Sequence, residues 1–301
     1  MRAQDPTIRV TDSKGATGGA FAKFREILRY RELLGNIIRK ELKVRYKNSA
    51  LGFLWSMMNP ALYLVIFTIV FTKFLGNAIP YFAIYLLSGL LAWNLLSAAL
   101  NGSAGSIVGN SNLVTKVYFP REILPLASIG AGLVHFFLQL LVFIFGLLAF
   151  RYPFEPSGLI LLPAALVVEL VFLTGLGLLI ASFNVYFRDV QHFLELALLA
   201  WFWMTPIVYP IAFVEKGLQG SALWHVYRAN PATSIVLAFQ RALYGHVTPL
   251  SDKGVPQQVL LDQPISDYLL SLGGVGLLSL GLLLVGFLVF HRLESRLAEE
   301  L

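Results

Sequence analysis

The sequence predicts an all-α integral membrane protein with six transmembrane helices and both termini on the cytoplasmic side. Three observations carry that prediction. Composition is the first: 57% of the residues are hydrophobic, 13% are charged and mean hydropathy is +0.71, against about half apolar and about a quarter charged in soluble domains. The second is a series of apolar runs of roughly 20 residues, the length a helix needs to cross a hydrocarbon core about 30 Å thick. They fall at 52–75, 82–101, 124–149, 158–183, 190–209 and 267–290. Charge placement is the third, because an even number of spans puts both termini on one side and lysine and arginine favour the cytoplasmic side. Of twenty-three such residues, residues 1–51 hold twelve, the 102–123 link two, the 184–189 link one and the tail after 290 two.

The chain divides into a cytoplasmic tail (1–20), an amphipathic interface helix (21–48), the transmembrane domain (49–291) and a second cytoplasmic tail (292–301). The first tail, "MRAQDPTIRVTDSKGATGGA", has no periodicity and is expected to be disordered. No apolar run follows a short basic leader, so a cleaved signal peptide is not expected. In "KFREILRYRELLGNIIRKELKVRYK", Phe24, Ile27, Leu28, Leu34, Ile37, Ile38 and Leu42 fall on one broad helical face with cationic edges. Such a helix suits the cytoplasmic headgroup layer, where each basic residue contributes on the order of 1 kcal/mol. Topology and surface anchoring account for most of these charges. The sharper reading gives Arg39, Lys40, Lys43, Arg45 and Lys47 the phosphates of a lipid-linked substrate.

In the first span, a helix starting at Asn59-Pro60 would be too short to cross before Lys73, so the helix is expected to begin near Leu51 and kink at Pro60. Trp55 then lies at the interface. Tyr63, Phe67 and Phe71 stand at four-residue steps, and "WFWM" places Trp201, Phe202 and Trp203 in the fifth span. Two readings of these rings stand side by side: packing or lipid contact, and a passage along whose aromatic faces a sugar chain slides. Glu169 is the carboxyl group deepest in a span. A lone group of this kind reads more readily as a helix contact than as a coupling relay, which needs chains of ionisable groups.

Between spans five and six, "NPATSIVLAFQRALYG" offers a helix over Ala232–Gly245, opened by Asn230-Pro231 and closed by Gly245. It is too short to span, so it is expected to re-enter the external half of the protein. Arg241, poorly tolerated in lipid, would then act as an external gate beside the exit.

The first cytoplasmic link, "LVTKVYFPREILP", gathers Lys116, Tyr118, Phe119, Arg121 and Glu122 between prolines and apolar runs. A plain polar loop would join two helices equally well. Chemistry-bearing motifs are otherwise absent: no GxxxxGK[ST], HExxH, GxSxG or acidic metal cluster occurs, and there is no cysteine. No catalytic or metal site is therefore expected, and the partners indicated are lipids and proteins rather than nucleic acid.

Four stretches together, "RKELKVRYKNSALGFLWSMMNPAL", "NSNLVTKVYFPREILPL", "FNVYFRDVQHF" and "WFWMTPIVYP", resemble the permease subunit of ABC-2-type polysaccharide exporters, which export lipid-linked O-antigen, capsule, teichoic acid and related glycans. The likeness covers about residues 25–245. It implies a multi-pass protein of the bacterial plasma (inner) membrane, a homodimer, each half paired with a separate ATPase subunit that binds ATP and Mg. It implies that the first link is a coupling helix, with Tyr118 and Phe119 as anchors and Lys116, Arg121 and Glu122 as surrounding polar contacts. Arg188 and Asp189 of "FRDV" would belong to the second link, pairing with each other or meeting the ATPase. An aromatic-lined glycan channel would include Tyr63, Phe67, Phe71, Trp201 and Trp203. The residues before Phe21 and the 246–266 loop lie outside the likeness. Two alternatives remain: an ABC-2 permease for drug or lipid efflux, and a membrane-embedded glycosyltransferase or scaffold. The lack of an acidic metal-binding motif speaks against the enzyme.

Overall fold

Long apolar runs without internal proline satisfy their backbone polar groups within one helix, and the computed structural model of the chain is built from such helices. It describes residues 25, 29–46, 54–70, 79–218, 220–245 and 258–294. In order these are α1 (Arg31–Tyr46), α2 (Leu54–Ile69), α3 (Phe82–Ser106), α4 (Ser111–Lys116), α5 (Ile123–Ala149), α6 (Leu161–Tyr186), α7 (Val190–Trp203), α8 (Ile211–Leu218), α9 (Ala222–Ala229), α10 (Pro231–Leu243) and α11 (Ile265–Glu294). Among the described residues, four helices are long and apolar enough to cross a membrane: Phe82–Ser106, Ile123–Ala149, Pro156–Tyr186 and Ile265–Glu294. Pro125 and Pro163 lie in the first turns of α5 and α6, where a missing N–H breaks no helical bond.

The other two predicted spans correspond to shorter helices. α2 has 16 residues with Pro60 inside it, and residues 47–53 and 71–78 on either side lie outside the described residues. α7 has 14 residues, about 21 Å of helix, and stops at Trp203 rather than continuing to 209. Pro206 explains the stop, since proline lacks the N–H and disfavours helix in the residue before it. The tails 1–20 and 295–301 and most of the 246–266 loop also lie outside the described residues.

α3 is apolar on all sides and accordingly sits inside the bundle, with Tyr85, Ala99 and Leu100 fully buried. α5 runs antiparallel to it, tied by Asn94 Nδ2 donating to Gln139 Oε1 at 2.9 Å and packed where Gly132 meets Leu95 and Ala99. α6 runs parallel to α3, and Asn184 Nδ2 donates to the carbonyl of Ala104 at 2.8 Å. α11 lies parallel to α6 with the two main chains touching. A Cβ on Gly286 would stand 2.3 Å from the Gly175 carbonyl oxygen, and one on Gly175 would stand 2.6 Å from the Leu283 nitrogen. Only glycine fits at either position, the close approach by which helices in lipid gain packing.

This arrangement gives the bundle two distinct ends. At one, Ile37 of α1, Ile107, Val114 and Phe119 of the first link, Val185 of α6 and Phe290 of α11 form a small buried cluster. Every described segment predicted to be cytoplasmic meets there. At the far end, tyrosine hydroxyls satisfy carbonyls freed where helices break: Tyr85 donates to Tyr209 O at 2.9 Å, Tyr244 to Pro80 O at 3.1 Å and Tyr152 to Tyr244 O. Gln240 Nε2 adds a bond to Pro206 O at 2.9 Å. Burial pushes the Tyr152 and Tyr244 phenols above their ordinary range, which keeps both as donors.

The shared glycine contact predicts that Gly286→Val destabilises the protein by about 3 kcal/mol or more, while Gly281→Val, with nothing within 4 Å of its Cβ, changes little. Thermal melting in detergent checks this, and equal melting temperatures would show that the α6–α11 contact is not limiting. The tyrosine cap has its own pH signature. Because the folded-state phenols are raised, their contribution is complete below about pH 10 and declines as pH rises further. Phenolate absorbance during alkaline melting should therefore rise with unfolding rather than before it.

Candidate functional site

The first link shows how local sequence divides two neighbouring rings. α4 ends at Lys116, and Val117 is extended at φ −129 and ψ 135. Pro120 keeps Phe119 out of helix. In an extended stretch successive side chains point to opposite sides, so Tyr118 is 83% exposed while Phe119 is 4% exposed. Phe119 belongs to the chain's own buried cluster with Ile37, Ile123 and Phe290. Glu122 is also buried, at the start of α5, where a carboxylate suits the helix N-terminus. The sequence reading treats Tyr118 and Phe119 alike, and in the structure they differ in exposure. Tyr118, Lys116 and Val117 form the outward surface of the link, whereas Phe119 and Glu122 are turned inward. Arg121 is half-buried and donates to the carbonyl of Glu294 at the end of α11. In the second link Arg188 and Asp189 are exposed, and Phe187, which the sequence reading passed over, is 66% exposed beside them.

Beside this end lies a cavity of about 430 Å³ between α1, α3 and α5. Ile38 packs over Gly130 to seat α1 on α5, which brings Lys40 and Glu41 to the cavity wall. Lys40 Nζ donates to Asn110 Oδ1 at 2.7 Å, and Ser128 Oγ donates to Glu41 Oε1 at 2.9 Å. Gly102 and Gly132 keep the wall thin, and His135 lines the same cavity. An ammonium held by one acceptor still has N–H groups to offer an anionic oxygen. Of the other predicted phosphate contacts, Arg39 and Lys43 are exposed on α1. The Arg45 side chain and Lys47 lie outside the described residues. Asn110, Ser128 and His135 were not picked out from sequence, since small and polar residues in apolar runs have no distinguishing pattern.

The predicted aromatic residues occupy different environments. Tyr63 is 43% and Trp203 59% exposed. Trp201 is partly buried, edge-on to Trp93 and Phe172, and its Nε1 donates to Asn230 Oδ1 at 2.8 Å. It therefore links α7 to α10 rather than presenting a free face. Phe71 and the Phe67 side chain lie outside the described residues. α10 begins where the sequence places it: Asn230 Oδ1 accepts from the Ala232 amide at 3.1 Å with Pro231 at the first turn. It closes at Gly245, whose φ of 74 only glycine adopts readily. Arg241 donates to the Gly245 carbonyl and so fastens that closure. Glu169 is fully buried, and neither carboxyl oxygen has a hydrogen-bond partner among the described residues.

Residues 32–244 match the family described as ABC-2 type transporter. The chain belongs to that family. The matched stretch runs from α1 to the end of α10, so this ABC-2 transporter carries both links and the α1 cavity within the family region, with α11 beyond it. The chain is 34% identical over 226 residues, 75% of its length and 85% of the relative's, to the O-antigen export system permease protein RfbA of Myxococcus xanthus. It is 27% identical over 270 residues, 90% and 95% of the two chains, to the protein of the same description in Klebsiella pneumoniae. It is 24% identical over 217 residues, 69% and 80%, to the polysialic acid transport protein KpsM of Escherichia coli.

For this transporter the split between the two rings has a measurable consequence. Phe119→Ala should cost about 3 to 5 kcal/mol of stability, and Tyr118→Ala within about 0.5 kcal/mol. Denaturation of the detergent-solubilised variants checks this, and similar losses for both would show that Tyr118 also packs inward in solution.

Proposed function

We propose that the chain is the membrane-spanning permease half of an ATP-driven exporter that moves a lipid-linked polysaccharide from the cytoplasm across the bacterial plasma membrane. The observation that carries this reading is family membership, joined to relatives whose descriptions all concern polysaccharide export or transport. In this reading the chain forms six spans, with α2 and α7 as the first and fifth, and both termini are cytoplasmic. Two copies assemble, each with a separate ABC ATPase that binds ATP and Mg. The end bearing Tyr118 faces the cytoplasm, and that exposed ring, with Lys116, Arg188 and Asp189, docks on the ATPase. The buried Phe119 supports the link from behind. Lys40, with Arg39 and Lys43 along α1, meets the phosphate of the lipid carrier. Tyr63 and Trp203 offer exposed faces to the sugar chain, and α10 re-enters at the external end, where Arg241 keeps it closed.

The purified chain should hydrolyse no ATP alone and should do so when co-expressed with its ATPase, and the complex should retain a lipid bearing sugars. Tyr118→Ala should lower ATPase retention after washing by about thirtyfold or more, and Lys116→Ala by less than about fivefold. Hydrolysis by the contaminant-free lone chain, or a bound lipid without sugar, would overturn the reading. The second outcome would favour efflux of a simple lipid.

A further inference from the structure

Two carbonyls in the last described turn of α11 receive side chains from elsewhere. Arg121, in the first link, donates from Nη1 to the carbonyl of Glu294. Tyr186, at the last residue of α6 and the threshold of the second link, donates from its hydroxyl to the carbonyl of Leu293 at 3.3 Å.

This end is fixed apolarly as well. Phe290, one turn back on α11, is fully buried in the cluster that also holds Phe119, Ile123 and Val185. A turn further back, Gly286 rests on the Gly175 carbonyl, so α11 cannot move along or away from α6 without breaking a main-chain contact. Coupling over distance is carried by packed side chains, hydrogen bonds and rigid elements, and all three converge on this turn.

We infer that Arg121 and Tyr186 are positioning residues that clasp the C-terminal turn of α11, so that displacement of the first link is passed to the α6–α11 pair as one body. This rests on the reading that the first link docks an ATPase. It assigns Arg121 a role different from surface contact: its guanidinium reaches inward to a carbonyl, while Tyr118 faces out. Motion of the link then reaches α11, a helix beyond the family match, by way of two hydrogen bonds and a buried ring.

The chain has no cysteine, so introduced cysteines are the only sites on it that take a thiol-reactive spin label before it is assembled with the ATPase. Asn112 on α4 and Arg292 on α11 are exposed, and Asn112→Cys with Arg292→Cys reports the distance between link and clasped turn. In the otherwise wild-type complex that distance should remain single and narrow through ATP addition. With Arg121→Met it should broaden on ATP addition, and export should fall about tenfold, the scale of one lost charge-assisted hydrogen bond. Tyr186→Phe should lower export about threefold while ATPase retention stays at the wild-type level. The double variant should be no worse than Arg121→Met alone, and Arg121→Lys should recover part of the loss, since a charged donor to the same carbonyl is kept. A merely structural defect would lower melting temperature and retention without making the distance respond to ATP. Export and distance unchanged in Arg121→Met would overturn the clasp. ATPase retention unchanged by Tyr118→Ala would instead overturn the docking reading on which it rests.

Discussion

The contact on which most of the bundle depends is between two main chains, at Gly175 and Gly286. Apolar side chains facing apolar lipid gain little by leaving it, so helices in a membrane are held by close packing and by hydrogen bonds between them. α6 lies against α3, α5 and α10 as well as α11, and bringing α11 to backbone contact places both of its ends. Its last turn arrives under Arg121 and Tyr186. Near its first, Ser271 meets Ser234 of α10 at 2.9 Å, and Tyr268 reaches the Leu261 carbonyl at 3.0 Å. Any side chain at Gly175 or Gly286 would shift all of these together.

Polar main-chain groups set the second constraint. Irregular backbone at membrane depth is tolerated only where protein supplies its partners. The stretch after α7 is irregular because Pro206 and Pro210 interrupt it, and its carbonyls are met by Gln240 and Tyr85. α10, buried along nearly its whole length, is therefore a structural plug for the far end as much as a continuation of the chain. The aromatic residues there serve through their polar tips, the use to which buried tyrosine and tryptophan are best suited. Trp201 is the clearest case, since its indole N–H bridges to the residue that caps α10.

Much of this architecture was legible in the sequence because its signals are local. The long apolar runs predicted α3, α5, α6 and α11, and Asn230-Pro231 with Gly245 predicted both limits of α10, since cap chemistry acts within a few residues. The end of α7 was missed by extending an apolar run through Pro206, where the loss of one N–H outweighs hydrophobicity. Tyr118 and Phe119 were read as equivalent because composition does not reveal which side of an extended segment faces the core. That depends on Ile37, Val185 and Phe290, residues far away in the chain. The glycine contact and the clasp on α11 were hidden for the same reason. Nothing near Gly286 in sequence marks it apart from Gly281, whose surroundings are open.

The cavity and the first link turn out to be neighbours through a single residue. Asn110 lies in the turn between α3 and α4, where its amide nitrogen donates to the Ser106 carbonyl at 2.8 Å, and its carbonyl oxygen holds the ammonium of Lys40. Beyond α4, the same link holds the last described turn of α11 through Arg121. One short segment thus bonds to the cation at the cavity wall and to the helix that is locked against α6. Hydrogen bonds weaken steeply with length and misalignment. A displacement of this segment by an ångström or more therefore has to loosen Lys40, carry α11 with it, or do both.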